Sequence, residues 1–399
     1  MIVVGGTYTE HCIDPTRVRL LGSGLRAACI NRQQLETFVT AVHPSERDQV
    51  AATLGVPNAA LAVVERAHPV RFLYETPISR PSLYGALGEA PKIPADGDQA
   101  LVFGMVDGRP EVRARQAVID PQSSLSLTAV NEDVRADQKV IVANARELRF
   151  LTGETELNHA MSAALDATGA VAVVAKCGIA GCAFLTNSGS PATLAAWPTS
   201  NVWPIGSGDA FSAGFAAHWF EHGDLRAAGE AGIAAAACVC STDQLTLRPI
   251  DPILDLGSLT FEEMTKRPRV YLAASFASIH QRWLLRQVAR AMRDIGIEPF
   301  SPLHENGLYD GDAATIATRD LEGIEASASV LLLADGSRTG PWVEAGWATC
   351  LERPVVIFTE DDARDRYTML VGTGAQVVAD LASAIYRAGW LALAARTRP

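Results

Sequence analysis

Residues 140–153 read VIVANARELRFLTG. Val140 to Ala143 are β-branched or small and apolar, the composition of a strand buried on both faces. At Asn144 the run stops and a helical pattern begins, with Asn144 suited to cap that helix and Glu147 to its first turn. The same alternation recurs along the chain. Short apolar runs at 2–4, 100–105, 171–175, 270–274, 330–333 and 355–358 read as strands. Helical stretches lie between them; in 281–295, Leu284, Val288 and Met292 fall near one face, with arginines elsewhere. Strands alternating with helices predict an α/β protein whose sheets are parallel and covered on both faces.

Between Thr246 and Arg269 the pattern is interrupted by Pro249, Pro252 and Pro268 and has no clean period. A fresh strand then starts at Val270. This divides the chain into a domain over 1–250, a linker over 251–267 and a smaller domain over 268–399. A length of 399 residues agrees with two or three domains. With 48% hydrophobic residues the chain has ample material for packed cores, which excludes a wholly disordered protein.

The net charge of −11 opposes binding to a nucleic-acid polymer or an anionic membrane, both of which require a basic face. A small phosphorylated substrate stays compatible, because a few local groups can hold a phosphate. Seven cysteines, an odd number with no C-x-x-C spacing, give neither a disulfide framework nor a zinc ribbon. Buried reduced thiols and a cytoplasmic location are expected. The opening MIVVGGTYTEHC lacks the basic and apolar regions of a signal peptide. The longest apolar stretch, 227–240, contains Glu230 and is too short to span a bilayer.

Residues 204–215, PIGSGDAFSAGF, carry the chemistry of the first domain. Gly206, Ser207 and Gly208 allow backbone N–H groups to converge on an anion at a helix N-terminus. Asp209 beside such a cradle can take a proton from a substrate hydroxyl while the cradle stabilises a transferring phosphoryl group. Asn144 and Glu147, at the carboxyl end of their strand, either cap the helix or organise Mg²⁺ and its waters around phosphates.

These segments resemble, in the right order, the ribokinase-like (PfkB) family of sugar and nucleoside kinases. GSGD at 206–209 resembles the family's G-A-G-D anion hole and base, and NARE at 144–147 its N-x-x-E motif. Residues 174–181, VAKCGIAG, are similar to the strand and turn before the nucleotide site, which places Lys176 there. Gly5-Gly6 and Gly22-Ser-Gly24 resemble the amino-terminal sugar-binding segments. The resemblance implies a three-layer α/β/α fold, with ATP and Mg²⁺ as cofactors, Glu147 acting on the metal through water and Asp209 as base. Glu10, Gly24 and Arg26 fall at acceptor-binding positions. Glu10 stands where the family has Asp, and Arg26 where it has Asn. Trp203 replaces an Asp of the family's monovalent-cation site, so K⁺ activation is not expected. Only about 16 residues separate Gly6 from Gly22, which implies a reduced substrate lid and an unusual acceptor.

In the second domain, Asp320 has Ile316 and Ile324 as its i−4 and i+4 neighbours and so lies on an inward stripe. Pro341 suits a first helical position, which would put Glu344 in the first turn, where the helix dipole keeps a carboxylate ionised. An ionised Glu can attack an anomeric carbon. RVYLAAS at 269–275, DLE at 320–322, VLLLADG at 330–336, VEAGWA at 343–348 and PVVIF at 354–358 together resemble the nucleoside 2-deoxyribosyltransferase family, which includes nucleoside 5′-monophosphate N-glycosidases. The resemblance implies a flavodoxin/Rossmann-like domain with a parallel sheet. It makes Glu344 the nucleophile at C1′, Asp320 the acid that orients the sugar and assists the base, and Tyr271 the residue that positions the nucleophile. Asp335 belongs to the same substrate-binding set.

The transferase branch has an Asp six residues before the nucleophile, where this chain has Arg338. The hydrolase branch has phosphate-binding serines there and after the first strand, positions matched or neighboured by Ser337, Arg338 and Ser275. Arg is also a natural phosphate fork. A nucleoside 5′-monophosphate is therefore the expected substrate. The combined expectation is a fusion that phosphorylates a nucleoside or sugar and cleaves the N-glycosidic bond of a (deoxy)nucleoside 5′-monophosphate, the phosphate admitting the kinase product to the second site. The other reading is a deoxyribosyltransferase with the kinase-like domain as a non-catalytic, nucleotide-binding regulator. Families of both types self-associate, so a homodimer or larger homo-oligomer is implied.

Overall fold

A computed structural model of the chain describes residues 1–55, 60–85, 90–122, 124–307, 312–361 and 364–396. By its internal contacts the chain divides into two compact units. One comprises Met1–Cys177, Gly181–Leu194 and Trp203–Asp251; the other comprises Gly178–Ala180, Ala195–Val202 and Pro252–Pro399.

The first unit's strands are β1 Ile2–Val4, β2 Thr9–Cys12, β3 Arg17–Leu20, β4 Thr37–Val42, β5 Leu61–Glu65, β6 Arg71–Tyr74, β7 Ser82–Tyr84, β8 Lys92–Phe103, β9 Arg109–Asp120, β10 Val134–Asn144, β11 Ala172–Lys176, β12 Gly181–Thr186 and β13 Ala192–Ala195. Its helices are α1 Gly22–Ile30, α2 Arg47–Leu54, α3 Leu127–Asp133, α4 Ala145–Thr152, α5 Leu157–Thr168, α6 Ser207–His222 and α7 Leu225–Thr242. Among the described residues nine strands form one sheet in the order β13-β12-β11-β10-β9-β8-β1-β4-β5. Pairing is parallel from β5 to β11 and antiparallel between β11 and β12. The strands at its centre are apolar because helices cover both faces; Val3, Leu101, Val118, Val140 and Val174 are all fully buried.

A second, four-stranded sheet has the order β3-β2-β6-β7. The short interval between Gly6 and Gly22 contributes half of this sheet. That interval supplies β2 and β3, and residues 71–84 supply β6 and β7. Helix α1 follows β3 and packs so close to the end of β1 that a Cβ on Gly24 would lie 2.4 Å from the Gly5 carbonyl carbon.

The second unit holds β14 Arg269–Ala273, β15 Glu298–Phe300, β16 Ser329–Leu333, β17 Val355–Phe358 and β18 Gln376–Val378. Its helices are α8 Phe261–Thr265, α9 Ile279–Asp294, α10 Pro302–Asn306, α11 Ala313–Glu325, α12 Thr339–Cys350, α13 Thr368–Gly372 and α14 Leu381–Arg396. The five strands are parallel, in the order β15-β14-β16-β17-β18. The chain thus moves outward in one direction to β15 and in the other from β16. The switch point between β14 and β16 is where open α/β sheets present their ligand crevice. No described helix is long and apolar enough to cross a membrane.

Gly24→Ala should push α1 off β1 and destabilise the first unit by about 1–3 kcal/mol. Gly189→Ala, whose added Cβ meets nothing within 4 Å, should shift stability by less than about 0.5 kcal/mol. Urea unfolding of both variants checks the pair.

Candidate functional site

In the first unit the α6 N-terminus gathers most of the predicted residues. Gly206 caps α6 with φ +81, and a Cβ there would lie 2.0 Å from the Arg26 Cζ, so both backbone and space require glycine. Ser207 donates both its N–H and its hydroxyl to the Pro204 carbonyl, at 3.1 and 2.9 Å. Gly208 lies against Lys176, whose Nζ would sit 3.5 Å from an added Cβ. Gly24 is buried in α1 and donates its N–H to the Gly6 carbonyl at 3.0 Å.

Asp209 stands in the first turn of α6. Its Oδ2 accepts from Arg26 Nη1 at 2.8 Å and its Oδ1 from Gln122 Nε2 at 2.8 Å. The other amino group of Arg26 donates to Glu10 Oε2 at 2.5 Å, and Glu10 Oε1 accepts from the Gly22 N–H at 3.2 Å. The Arg26 side chain is only 3% exposed. Burial opposes its charge, but Glu10 and Asp209 hold its proton more tightly than usual. Burial pushes Asp209 up to about 6; Arg26 and Lys176 pull it down, while Asp120 and Glu10 push it up. Each carboxylate oxygen of Asp209 retains a lone pair for a substrate hydroxyl.

Asp120 was not foreseen. It ends β9, is 1% exposed, and accepts from Lys176 Nζ at 2.6 Å and from the Ser212 hydroxyl at 2.7 Å through one oxygen. The other oxygen is buried with no hydrogen-bond partner. An apolar run ending in an acid, AVID at 117–120, was the available signal. Asn144 and Glu147 form a reciprocal capping box: the Glu147 N–H donates to Asn144 Oδ1 at 2.8 Å, and the Asn144 N–H donates to Glu147 Oε2 at 3.0 Å. One Glu147 oxygen is left over, and burial, then the Asp120 charge, raise the proton affinity of this carboxyl. Among the described residues no three His, Cys, Asp or Glu side chains could hold a metal together. The orphaned Asp120 oxygen, the spare Glu147 oxygen and Lys176 fit a magnesium nucleotide whose metal keeps most of its waters.

In the second unit the predicted residues surround the β14/β16 switch point. Tyr271, fully buried in β14, stacks on Phe300 with ring centroids 5.4 Å apart. The Tyr271 hydroxyl and Glu344 Oε2 are both buried and make no well-aligned hydrogen bond, but the hydroxyl lies near enough to the Glu344 carboxyl to favour its ionised form. Asp320, half-buried on α11, adds its negative charge to both. Burial, then Asp320, push Glu344 from its ordinary 4.5 up to about 8, while Tyr271 pulls the other way. Burial, Glu344 and Asp320 in turn keep the Tyr271 phenol protonated well beyond its usual range.

This corrects the expectation for Glu344. Helix α12 begins at Thr339, so Pro341 is its third residue and Glu344 falls in the second turn. Helix α12 has no acidic residue in its first turn, and burial outweighs the dipole. The resting carboxyl is largely protonated at neutral pH.

Ser275, at the end of β14, accepts the Arg338 N–H at 2.8 Å, tying the loop after β14 to the loop after β16. Its own hydrogen stays available. Ser337 instead donates its hydroxyl to the Leu333 carbonyl at 2.5 Å. Arg338 caps α12 and its side chain is exposed. Both Asp335 oxygens are engaged, one by the Thr359 hydroxyl at 2.7 Å and the other by the Glu360 N–H at 2.8 Å, so this residue braces the ends of β16 and β17.

With both sites in place, comparison with known proteins finds two family resemblances, one in each part of the chain. Residues 113–251 match the pfkB family carbohydrate kinases, and residues 270–377 match the nucleoside 2-deoxyribosyltransferases. The chain thus joins a stretch similar to the pfkB carbohydrate kinases to one similar to the nucleoside 2-deoxyribosyltransferases, which supports a nucleoside-metabolising role. Glu10, Gly24 and Arg26 precede the first match. Among solved structures, the chain is similar to a ribokinase from Thermotoga maritima (14% identity, covering 62% of this chain and 95% of that one, TM-score 0.48). It is also similar to an Arabidopsis thaliana ribokinase complexed with ribose and ATP (16%, 60% and 91%, TM-score 0.45). A third is a nucleoside kinase from Methanocaldococcus jannaschii (14%, 60% and 91%, TM-score 0.45). A search of the curated proteins finds no match.

A raised carboxyl stabilises the fold fully below its unfolded pKa and loses that contribution as pH rises through the folded one. Glu344→Gln should therefore melt close to the wild type at pH 4. Its advantage should grow between 4.5 and about 8, to a few degrees, and then level off. Thermal melts across pH 4–9 check this.

Proposed function

We propose that the chain is a bifunctional enzyme of nucleoside and nucleotide metabolism, with a phosphotransferase domain over 1–250, a linker over 251–267 and an N-glycosidase domain over 268–399. The observation that carries the reading is Glu344: a half-buried residue whose Oε2 is buried and orphaned, beside Tyr271 and Asp320 at the sheet's switch point. Ionised Glu344 attacks C1′ of a (deoxy)nucleoside 5′-monophosphate. The C1′–N bond breaks with its electrons going to the base, which takes a proton with help from Asp320. Tyr271 orients the nucleophile. Water then cleaves the glycosyl ester, giving free base and (deoxy)ribose 5-phosphate and returning Glu344. Ser275, with a free hydroxyl hydrogen, and exposed Arg338 hold the 5′-phosphate.

In the first domain Asp209 removes a proton from a hydroxyl of a nucleoside or sugar. Its position near 6 suits a general base at neutral pH. ATP, when bound with Mg²⁺, supplies the phosphoryl group and the metal offsets its charge. Lys176 and the glycines of the Gly206–Gly208 turn would hold phosphate oxygens, and Glu147 would meet the metal through water. Free thiols suit a cytoplasmic enzyme, and its families' habit suggests a homo-oligomer.

The test is product analysis with nucleosides and 5′-monophosphates, with and without Mg·ATP. Glu344→Ala should abolish base release, and Asp209→Asn should abolish ATP turnover alone. Exchange of bases without net hydrolysis would replace the glycosidase by a transferase. ATP binding without turnover would make the first domain a regulator. Since attack requires the carboxylate, kcat/KM for base release should rise with pH to an inflection near 8. Asp320→Asn should move that inflection down, because the like charge is gone, and Tyr271→Phe should move it up.

A further inference from the structure

Beside the Glu10–Arg26–Asp209 cluster lies a cleft in the first unit, lined by Glu10, Arg17, Arg19, Arg26 and Trp203 together with Asp243. Its charges are arranged unevenly. At the inner end, the single guanidinium of Arg26 is divided between two carboxylates, Glu10 and Asp209. At the outer end, two guanidiniums share one carboxylate. Arg17 pairs with Asp243, and Arg19 approaches the same oxygen at 2.6 Å. Arg17 also lies over the Trp203 ring, its Cζ 4.2 Å from the centroid. The side chains of Arg17 and Arg19 are 36% and 38% exposed, so their remaining N–H donors face solvent.

We infer that the first unit takes an acceptor that already carries an anionic group, such as a sugar phosphate, with the anion on Arg17 and Arg19 and a hydroxyl toward Asp209. A neutral sugar would leave the outer cation excess without a partner. A phosphate would meet two forked guanidiniums, one of them lying over an aromatic face. The assignment rests on the reading of Asp209 as the base. It also orders the two reactions. The (deoxy)ribose 5-phosphate proposed as the second unit's product belongs to this acceptor class, so the first unit would consume what the second releases. That reverses the order expected from the sequence.

The probes are ribose 5-phosphate and ribose, titrated calorimetrically into the full chain. Ribose 5-phosphate should bind at least about tenfold more tightly than ribose. Arg17→Gln with Arg19→Gln should remove that advantage and leave ribose binding unchanged, while Arg17→Lys with Arg19→Lys should keep most of it. Ser275→Ala, which alters the second unit's proposed phosphate contact, should leave this component intact. Circular dichroism melts check that each variant folds. Ribose 5-phosphate affinity indifferent to the double Gln variant, or lost in Ser275→Ala, would overturn the inference. Absence of ATP turnover with either sugar would instead sink the phosphotransfer reading, and the titration would still decide the anion site.

Discussion

A guanidinium withdrawn from water has to be paired, and in the first unit that requirement is met by Arg26. Its partners lie on β2 and α6, while Arg26 itself rides on α1. Three elements are thereby held in one arrangement around a single charge. Removing Arg26 would leave both carboxylates without their shared cation, which is far costlier than losing a surface bridge. The same bond sets the state of Asp209. Burial pushes that carboxyl toward its neutral form, and Arg26 is the largest influence opposing it. The result is a group poised between acid and base, placed one residue beyond the glycines that can receive an anion.

Glu344 meets the opposite environment. It too is withdrawn from water, but its charged neighbour is another carboxylate and its polar neighbour is a phenol that ionises still less readily. Burial and the Asp320 charge both oppose its ionisation in the resting protein. In the reaction proposed for it, a positive partner arrives with the substrate, as charge develops at C1′ when the base departs. A carboxylate destabilised at rest and stabilised in the transition state is favourable for catalysis, because the stabilisation appears where the barrier lies. Two half-buried acids in one chain are thus set apart by their partners rather than by their burial.

How much of this could be read from the amino-acid order depends on where each residue's neighbours come from. Strands buried on both faces, such as β1, β11, β16 and β17, announce themselves as unbroken apolar runs. Strand β9 does not, because its first half, RPEVRARQ, alternates charged and apolar residues and contains a proline. Asp120 was hidden with it. The start of α12 was misplaced because proline is tolerated anywhere in a first turn, so Pro341 marks a helix beginning only to within two residues. Arg26 was legible as an unusual residue at an acceptor position. What it touches was not, since Asp209 lies 183 residues away and only the folded sheet brings them together. The brace made by Asp335 is a similar case: its partners follow β17, a strand further on.

Of the seven cysteines, Cys350 is the exposed one, and it closes the helix that carries Glu344. The others are buried or half-buried, and burial raises the proton affinity of Cys12, Cys29, Cys177, Cys182 and Cys240, which keeps them poor nucleophiles. A thiol-directed fluorophore or spin label will therefore choose Cys350 without any engineering of the chain. Less than two helical turns separate that label from the carboxylate, so the native protein already contains an optical handle on its own α12.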